Sequence, residues 1–150
     1  MKDFLADSRS KLREYPGGKL YTLGQANLPW DDVADTLQAG RFPGQLRGNF
    51  AFAWIGQTET IAAVDHVATY PLFYSSQALS PRFADLLEAT PSPEPNKKTL
   101  FQLEYLGGQS FGPETTFKGL FRLQAGHYLR NGRQVPYLDF AEYEGDEEID

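Results

Sequence analysis

The chain contains no cysteine. That removes disulfides, thiolate metal sites and a cysteine nucleophile in one step, and it is the usage expected in a reducing compartment. Positive charge is in deficit: 14 Lys and Arg stand against 20 Asp and Glu, for a formal net charge of −6. A generic nucleic-acid partner calls for a clustered positive field, so none is expected. No run approaches the ~18 apolar residues of a membrane span. Met1 to Asp7 carries acidic residues where a signal peptide has its apolar core. A soluble, cytoplasmic protein without membrane contact is therefore expected. Histidine is scarce as well, with only His66 and His127. No grouped ligands accompany either one, so no metal site and no cofactor are expected.

What is present is aromatic residues (11 Phe, 8 Tyr, 2 Trp) with 14 Gly and 10 Pro scattered among them. This is the composition of many short strands joined by tight turns. At 150 residues the chain is one domain's worth. Its most informative stretch runs from Leu46 to Tyr74. Leu46 to Ile55 and Thr60 to Val64 read as adjacent strands joined by a turn at Gly56-Gln57-Thr58-Glu59. A third short strand follows at Tyr70 to Tyr74. In the first strand Phe50, Phe52 and Trp54 share one face, and Asn49, Ala51 and Ala53 the other. The small residues admit a close neighbour, and both faces suit a sheet covered on two sides.

Around this unit the chain reads as follows. Asp3 to Glu14 reads as a short helix with Phe4, Leu5 and Leu12 as its apolar positions, or equally as a docking arm or a frayed terminus. Lys19 to Leu23 is a strand. Pro29 opens a helix in which Asp31 and Asp32 suit the dipole, Trp30, Val33, Ala34 and Leu37 share a face, and Gly40 stops it. Arg82 to Leu87 is a helical turn. Thr90 to Pro95 is a proline-rich loop. Asn96 caps a helix reaching Leu106, with Gly107-Gly108 as the stop. Thr115 to Leu123 is extended or turn-like. Gly126 to Arg130 and Arg133 to Leu138 pair through Asn131-Gly132, the strongest hairpin signal in the chain. The acidic stretch from Glu142 to Asp150 reads as a solvated tail, with a docking tail for a basic partner as the second reading.

Four segments in this order resemble the glutamine-amidotransferase domain of the glutamine-dependent asparagine synthetases. Leu46-Arg47-Gly48-Asn49-Phe50-Ala51-Phe52 is similar to the family's Leu-x-Gly-x-Phe-Ala-Phe strand. Asp65 with Tyr70-Pro71-Leu72-Phe73-Tyr74 is similar to its Asp-containing bend followed by Pro-Leu-Tyr-Tyr. Phe83-Ala84-Asp85-Leu86-Leu87 falls where the family has its next segment. Thr116-Phe117-Lys118-Gly119-Leu120 through Gly126-His127-Tyr128-Leu129 resembles the closing motif. The resemblance spans roughly Trp30 to Phe140. It implies an α+β fold, a truncated αββα sandwich of the N-terminal-nucleophile hydrolase type with mainly antiparallel sheets. The division it implies is a rewritten N-terminal arm (1–29), an amidotransferase-like domain (30–140) and an acidic tail (141–150).

The departures bear on chemistry. The family's nucleophile is an N-terminal cysteine whose own amine serves as base. Here Met1 is followed by Lys2, and the nearest hydroxyl nucleophile is Ser8. The family's arginine-containing and Asn-Gly-Glu motifs are not recognisable. Its Arg-Asp at the bend has become Val64-Asp65, which removes a charge partner for Asp65, and its glycine has become Ala68. The synthetase loop Ser-Gly-Gly-x-Asp-Ser is absent; Gly107-Gly108-Gln109-Ser110 follows a helix instead of a strand. Ser75-Ser76 near His66 lacks a glycine elbow, and Asp31-Asp32 and Glu147-Glu148 read as a helix start and a tail rather than an acid–base pair. Catalytic, cofactor-binding and metal residues are thus expected to be none. The expected role is a non-catalytic structural or protein-interaction module with a protein partner or as a homo-oligomer, a virus particle being one such assembly. The alternatives are an accessory subunit of a separately encoded asparagine synthetase-like ligase and, last, a glutamine hydrolase with an unusual nucleophile.

Overall fold

The computed structural model describes residues 2–105 and 112–138. Ten strands and three helices follow one another: β1 (Asp3–Phe4), β2 (Lys11–Tyr15), β3 (Gly18–Ala26), α1 (Trp30–Gln38), β4 (Gly48–Gly56), β5 (Thr60–Val64), β6 (Phe73–Tyr74), β7 (Ala78–Ser80), α2 (Phe83–Glu88), α3 (Lys97–Tyr105), β8 (Phe121–Arg122), β9 (His127–Arg130) and β10 (Arg133–Pro136). They form a mixed α+β fold of two sheets. One has six strands in the order β10-β9-β5-β4-β3-β2, and the other four in the order β1-β7-β6-β8. All pairs are antiparallel except β1 with β7.

The alternation in β4 decides the layering. Phe50, Phe52 and Trp54 join Leu20 of β3 and Ile61 of β5 on one face, where Trp30, Val33, Ala34 and Leu37 of α1 cover them. Trp30 meets the edges of Phe50 and Phe52 at 6.1 Å each, a favoured aromatic geometry. Ala51 and Ala53 of β4 and Ala62 and Val64 of β5 point the other way, against Leu72, Tyr74, Leu79 and Leu123. Ala53 pairs directly with Ala62, and it is this small-residue face that receives the second sheet. Ala78, Leu120 and Phe73 lie on the far side of that sheet, with Leu86 of α2. The order of layers is therefore helix, six-stranded sheet, four-stranded sheet, short helix.

The N-terminal expectation needs correcting. Asp3 to Glu14 is not a helix; it holds β1 and β2. Asp7 accepts from the N–H groups of Arg9 and Ser10 and turns the chain between them. β2 then pairs along its whole length with β3, and β1 adds to β7. The sparse apolar residues fit strands better: Phe4 stacks on Tyr21 at 4.4 Å, and Leu12 lies on a polar edge. Tertiary pairing overrides a weak helical pattern here.

Elsewhere the expected elements form. Pro29 precedes α1, Asp31 and Asp32 lie in its first turn, and Gly40 follows with φ +78°. Asn96 Oδ1 accepts from the Thr99 N–H at the start of α3. Asn131 and Gly132 both have positive φ, as a two-residue hairpin turn of type I′ demands. The Gly107-Gly108 stop and the acidic tail lie outside the described residues.

Candidate functional site

The bend after β5 holds Asp65 and His66, two of the polar residues singled out in the sequence. Asp65 is 1% exposed. Its Oδ2 accepts from the Phe50 N–H at 2.8 Å, and its Oδ1 from the Val67 and Thr69 N–H groups at 2.9 and 3.3 Å. Its own N–H donates to the Phe50 carbonyl, and its carbonyl accepts from Ala68 and Gly126. One residue thus ties the start of β4, the bend itself and the turn before β9. No arginine is needed beside it, because backbone donors satisfy the carboxylate. This accounts for Val64 at the preceding position. Ala68 sits in the left-handed region at φ +51°.

Tyr137 closes the bend from outside: its hydroxyl donates to the Val64 carbonyl. Burial, and then the nearby Asp65 carboxylate, push its phenol above the ordinary tyrosine range. Gly24 of β3 passes beneath, with φ +76°, where a Cβ would collide with the Asn49 carbonyl oxygen and press on the Tyr70 ring.

The other candidates are dispersed or occupied. His66 is exposed at the bend. His127 Nδ1 donates to the Ala125 carbonyl at 2.8 Å, a turn-holding contact. Ser75 Oγ accepts from the Gln77 and Ala78 N–H groups, building the turn into β7. No hydrogen bond joins Ser75 or Ser76 to His66 among the described residues. Asp31 accepts from the Tyr15 hydroxyl at 2.6 Å. Burial, followed by that bond to Asp31, raises the Tyr15 phenol to about 12. Among the described residues no group of three or more His, Asp or Glu could hold a metal ion. No helix among them is long and apolar enough to cross a membrane.

Two kinds of surface escaped the sequence reading. Clefts of about 280 and 320 Å³ flank Lys2, whose Nζ lies 4.6 Å from the centre of the Tyr74 ring. Half-burial lowers the Lys2 ammonium below the usual lysine range. The six-stranded sheet also ends on β2, which among the described residues has no strand on its outer side. Leu12 stands 48% exposed there between Lys11 and Arg13. The alternation Lys-Leu-Arg-Glu-Tyr could have revealed this edge, but only with β3 recognised as its partner. Neither the family models nor the curated protein sequences yield a match to this chain.

Proposed function

We propose that this chain is a non-catalytic protein-interaction module, related to the class II glutamine amidotransferase domain of the asparagine synthetases and acting as a subunit of a larger assembly. One contrast carries the reading. The Asp65 carboxylate of the family-like bend is committed to backbone N–H groups, while among the described residues the five-residue edge strand β2 has no partner on its outer side. An open edge is a template for another strand. Two packed sheets with a helix on each outer side support the N-terminal-nucleophile hydrolase type of sandwich.

The charges on β2 favour a different chain over a second copy. A two-fold antiparallel pairing about Arg13 sets Arg13 opposite itself, one about Leu12 sets Lys11 opposite Arg13, and one about Glu14 sets Glu14 opposite itself. Like charges directly opposite are destabilising. The fitting occupant is a strand of another protein with acidic residues facing Lys11 and Arg13.

The test has two arms. Lys11→Glu with Arg13→Glu, introduced into the protein in its native source, is expected to release the partner that co-purifies with the unaltered chain; retention overturns the edge as the docking site. The purified chain is expected to hydrolyse no glutamine, and turnover above the buffer rate overturns the non-catalytic reading.

A further inference from the structure

The open edge at β2 has a pattern as well as a charge. Lys11, Leu12, Arg13 and Glu14 are all exposed. The register with β3 sets Lys11 and Arg13 on the face of Thr22 and Leu20, the side that α1 covers, and Leu12 on the face of Tyr21. Glu14 lies 4.0 Å from Lys19, which offsets its charge. On the α1 side Asp31 is engaged by the Tyr15 hydroxyl. Lys11 and Arg13 form no ion pair among the described residues. The edge therefore reads cation, apolar, cation on alternating faces. A strand that pairs with it needs acid, apolar, acid in register.

The chain carries that pattern twice. Glu142-Tyr143-Glu144 and Glu148-Ile149-Asp150 each read acid, apolar, acid, and no Lys or Arg falls among residues 139–150. Every even-numbered residue from Glu142 to Asp150 is acidic, so extended backbone there sets the acids on one face and Tyr143 and Ile149 on the other. These residues lie outside the described ones. The described chain ends at Leu138, just after β10, on the edge of the six-stranded sheet opposite β2. A strand added outside β2 stands six strand spacings from β10, about 29 Å along the sheet. The six residues from Leu138 to Glu144 span at most about 22 Å. The first triplet therefore falls short of its own β2 and meets that edge only on a second copy.

We propose that, when no other protein holds the β2 edge, Glu142-Tyr143-Glu144 of a second copy adds to it as a strand. Its two carboxylates face Lys11 and Arg13, and Tyr143 covers Leu12. This cover, which rests on the reading of β2 as the docking edge, regulates that edge: a partner strand has to displace a segment of like pattern. It also keeps an open edge from indiscriminate pairing. The contact is head-to-tail, so it avoids the like-charge pairs of β2 against β2. A head-to-tail contact that does not close into a ring lets copies add in rows.

The experiment is light scattering on the purified whole chain from ~10 μM to ~1 mM, where the mean mass is expected to rise with a Kd on the order of 0.1 mM. Two charge-reversed variants follow: Lys11→Glu with Arg13→Glu, and Glu142→Lys with Glu144→Lys. Each alone is expected to associate at least about tenfold more weakly, since like charges then face one another. Mixed in equal amounts, the two are expected to associate again, because each edge then meets the opposite charge. Recovery on mixing also shows that both variants are folded. Hydrogen exchange is expected to protect the Leu12 and Arg13 amides of the unaltered chain at high concentration only. A monomer throughout the range, association unchanged in either variant, or no recovery in the mixture overturns the proposal. Edge protection in a monomer overturns it as well and assigns the edge to the chain's own acidic stretch. Glu142→Lys with Glu144→Lys leaves β2 intact, so in the native source this variant is expected to keep the partner that co-purifies. A monomeric chain whose partner is lost only on substitution of Lys11 and Arg13 overturns the second copy and leaves the docking edge standing.

Discussion

At the Asp65 bend both carboxylate oxygens meet backbone N–H groups, whereas in the cleft beside α3 a buried hydroxyl meets no partner. Each place holds one buried polar side chain, and both lie against the four-stranded sheet or its connections. They differ in how much hydrogen-bonding capacity is left over. A satisfied buried carboxylate fixes backbone and contributes stability. An unsatisfied buried group costs stability. Polar residues within a motif therefore locate a structural joint here.

Asp65→Ala removes the clasp at the bend outright. It strands the buried Phe50 N–H and takes the acceptor from the part-buried Val67 and Thr69 N–H groups. A loss of about 3–5 kcal/mol is expected, read as a Tm drop of roughly 10 °C. A loss below about 1 kcal/mol would show that the bend holds itself without the carboxylate.

How much of this was legible depends on the range of the signal. The β4–β5 hairpin shows in sequence because Phe50-Ala51-Phe52-Ala53-Trp54 alternates large and small over five residues, and each face has one destination. α1 shows because Pro29, Asp31, Asp32 and Gly40 mark its ends. The arm from Asp3 to Glu14 misleads because β1 and β2 take their structure from β7 and β3, distant partners that no local pattern names. The bend was marked by Asp65 itself, but its backbone donors are invisible in sequence. The cleft was not marked at all. Phe73, Phe83, Thr99 and Arg122 come from four separate elements, and an orphaned hydroxyl has no sequence signature.

Gln134 joins the two sheets. Its Oε1 accepts from the Gln124 N–H, and its Nε2 donates to the Tyr74 hydroxyl and the Arg122 carbonyl at 2.8 and 2.9 Å. It therefore ties β10 of one sheet to β6 and β8 of the other. Gln134→Ala is expected to cost about 2 kcal/mol in chemical denaturation.

Tyr137 sharpens the bend's side of the comparison at smaller scale. Tyr137→Phe removes one hydrogen bond to the Val64 carbonyl and is expected to cost about 1 kcal/mol. Its pH signature has a definite sign. Tyr137, Tyr74 and Tyr15 all have raised pKa values, mainly through burial, Tyr15 reaching about 12. The folded state holds these protons more tightly than the unfolded chain, whose tyrosines titrate near ~10. Their contribution is complete below that pH and is lost as pH rises through the folded values. Thermal melts from pH 8 to 12 should be flat at first and fall above ~10, less steeply in Tyr137→Phe. A fall of equal slope in both proteins would remove Tyr137 from the effect.

The smallest expected effect concerns the one backbone conformation at the bend that its residue resists. Ala68 holds φ +51°, its N–H bonded to the Asp65 carbonyl at 3.2 Å, while the following Thr69 N–H bonds the Asp65 carboxylate. Left-handed backbone costs an alanine about 1–2 kcal/mol, and a glycine almost nothing. Against this relief stand the greater freedom glycine gives the unfolded chain, about 0.4–1 kcal/mol, and the loss of a methyl that packs against the inter-sheet core. Ala68→Gly is therefore expected to gain only about 0.5 kcal/mol. Ala68→Val, whose branched Cβ fits the left-handed region worse, should lose more than that. The opposite signs distinguish backbone strain from packing, since packing alone would favour valine. In an Asp65→Ala background the bend is free to relax, and the advantage of glycine should disappear. An advantage that persists there would mean that the strain at Ala68 is imposed by something other than the Asp65 clasp.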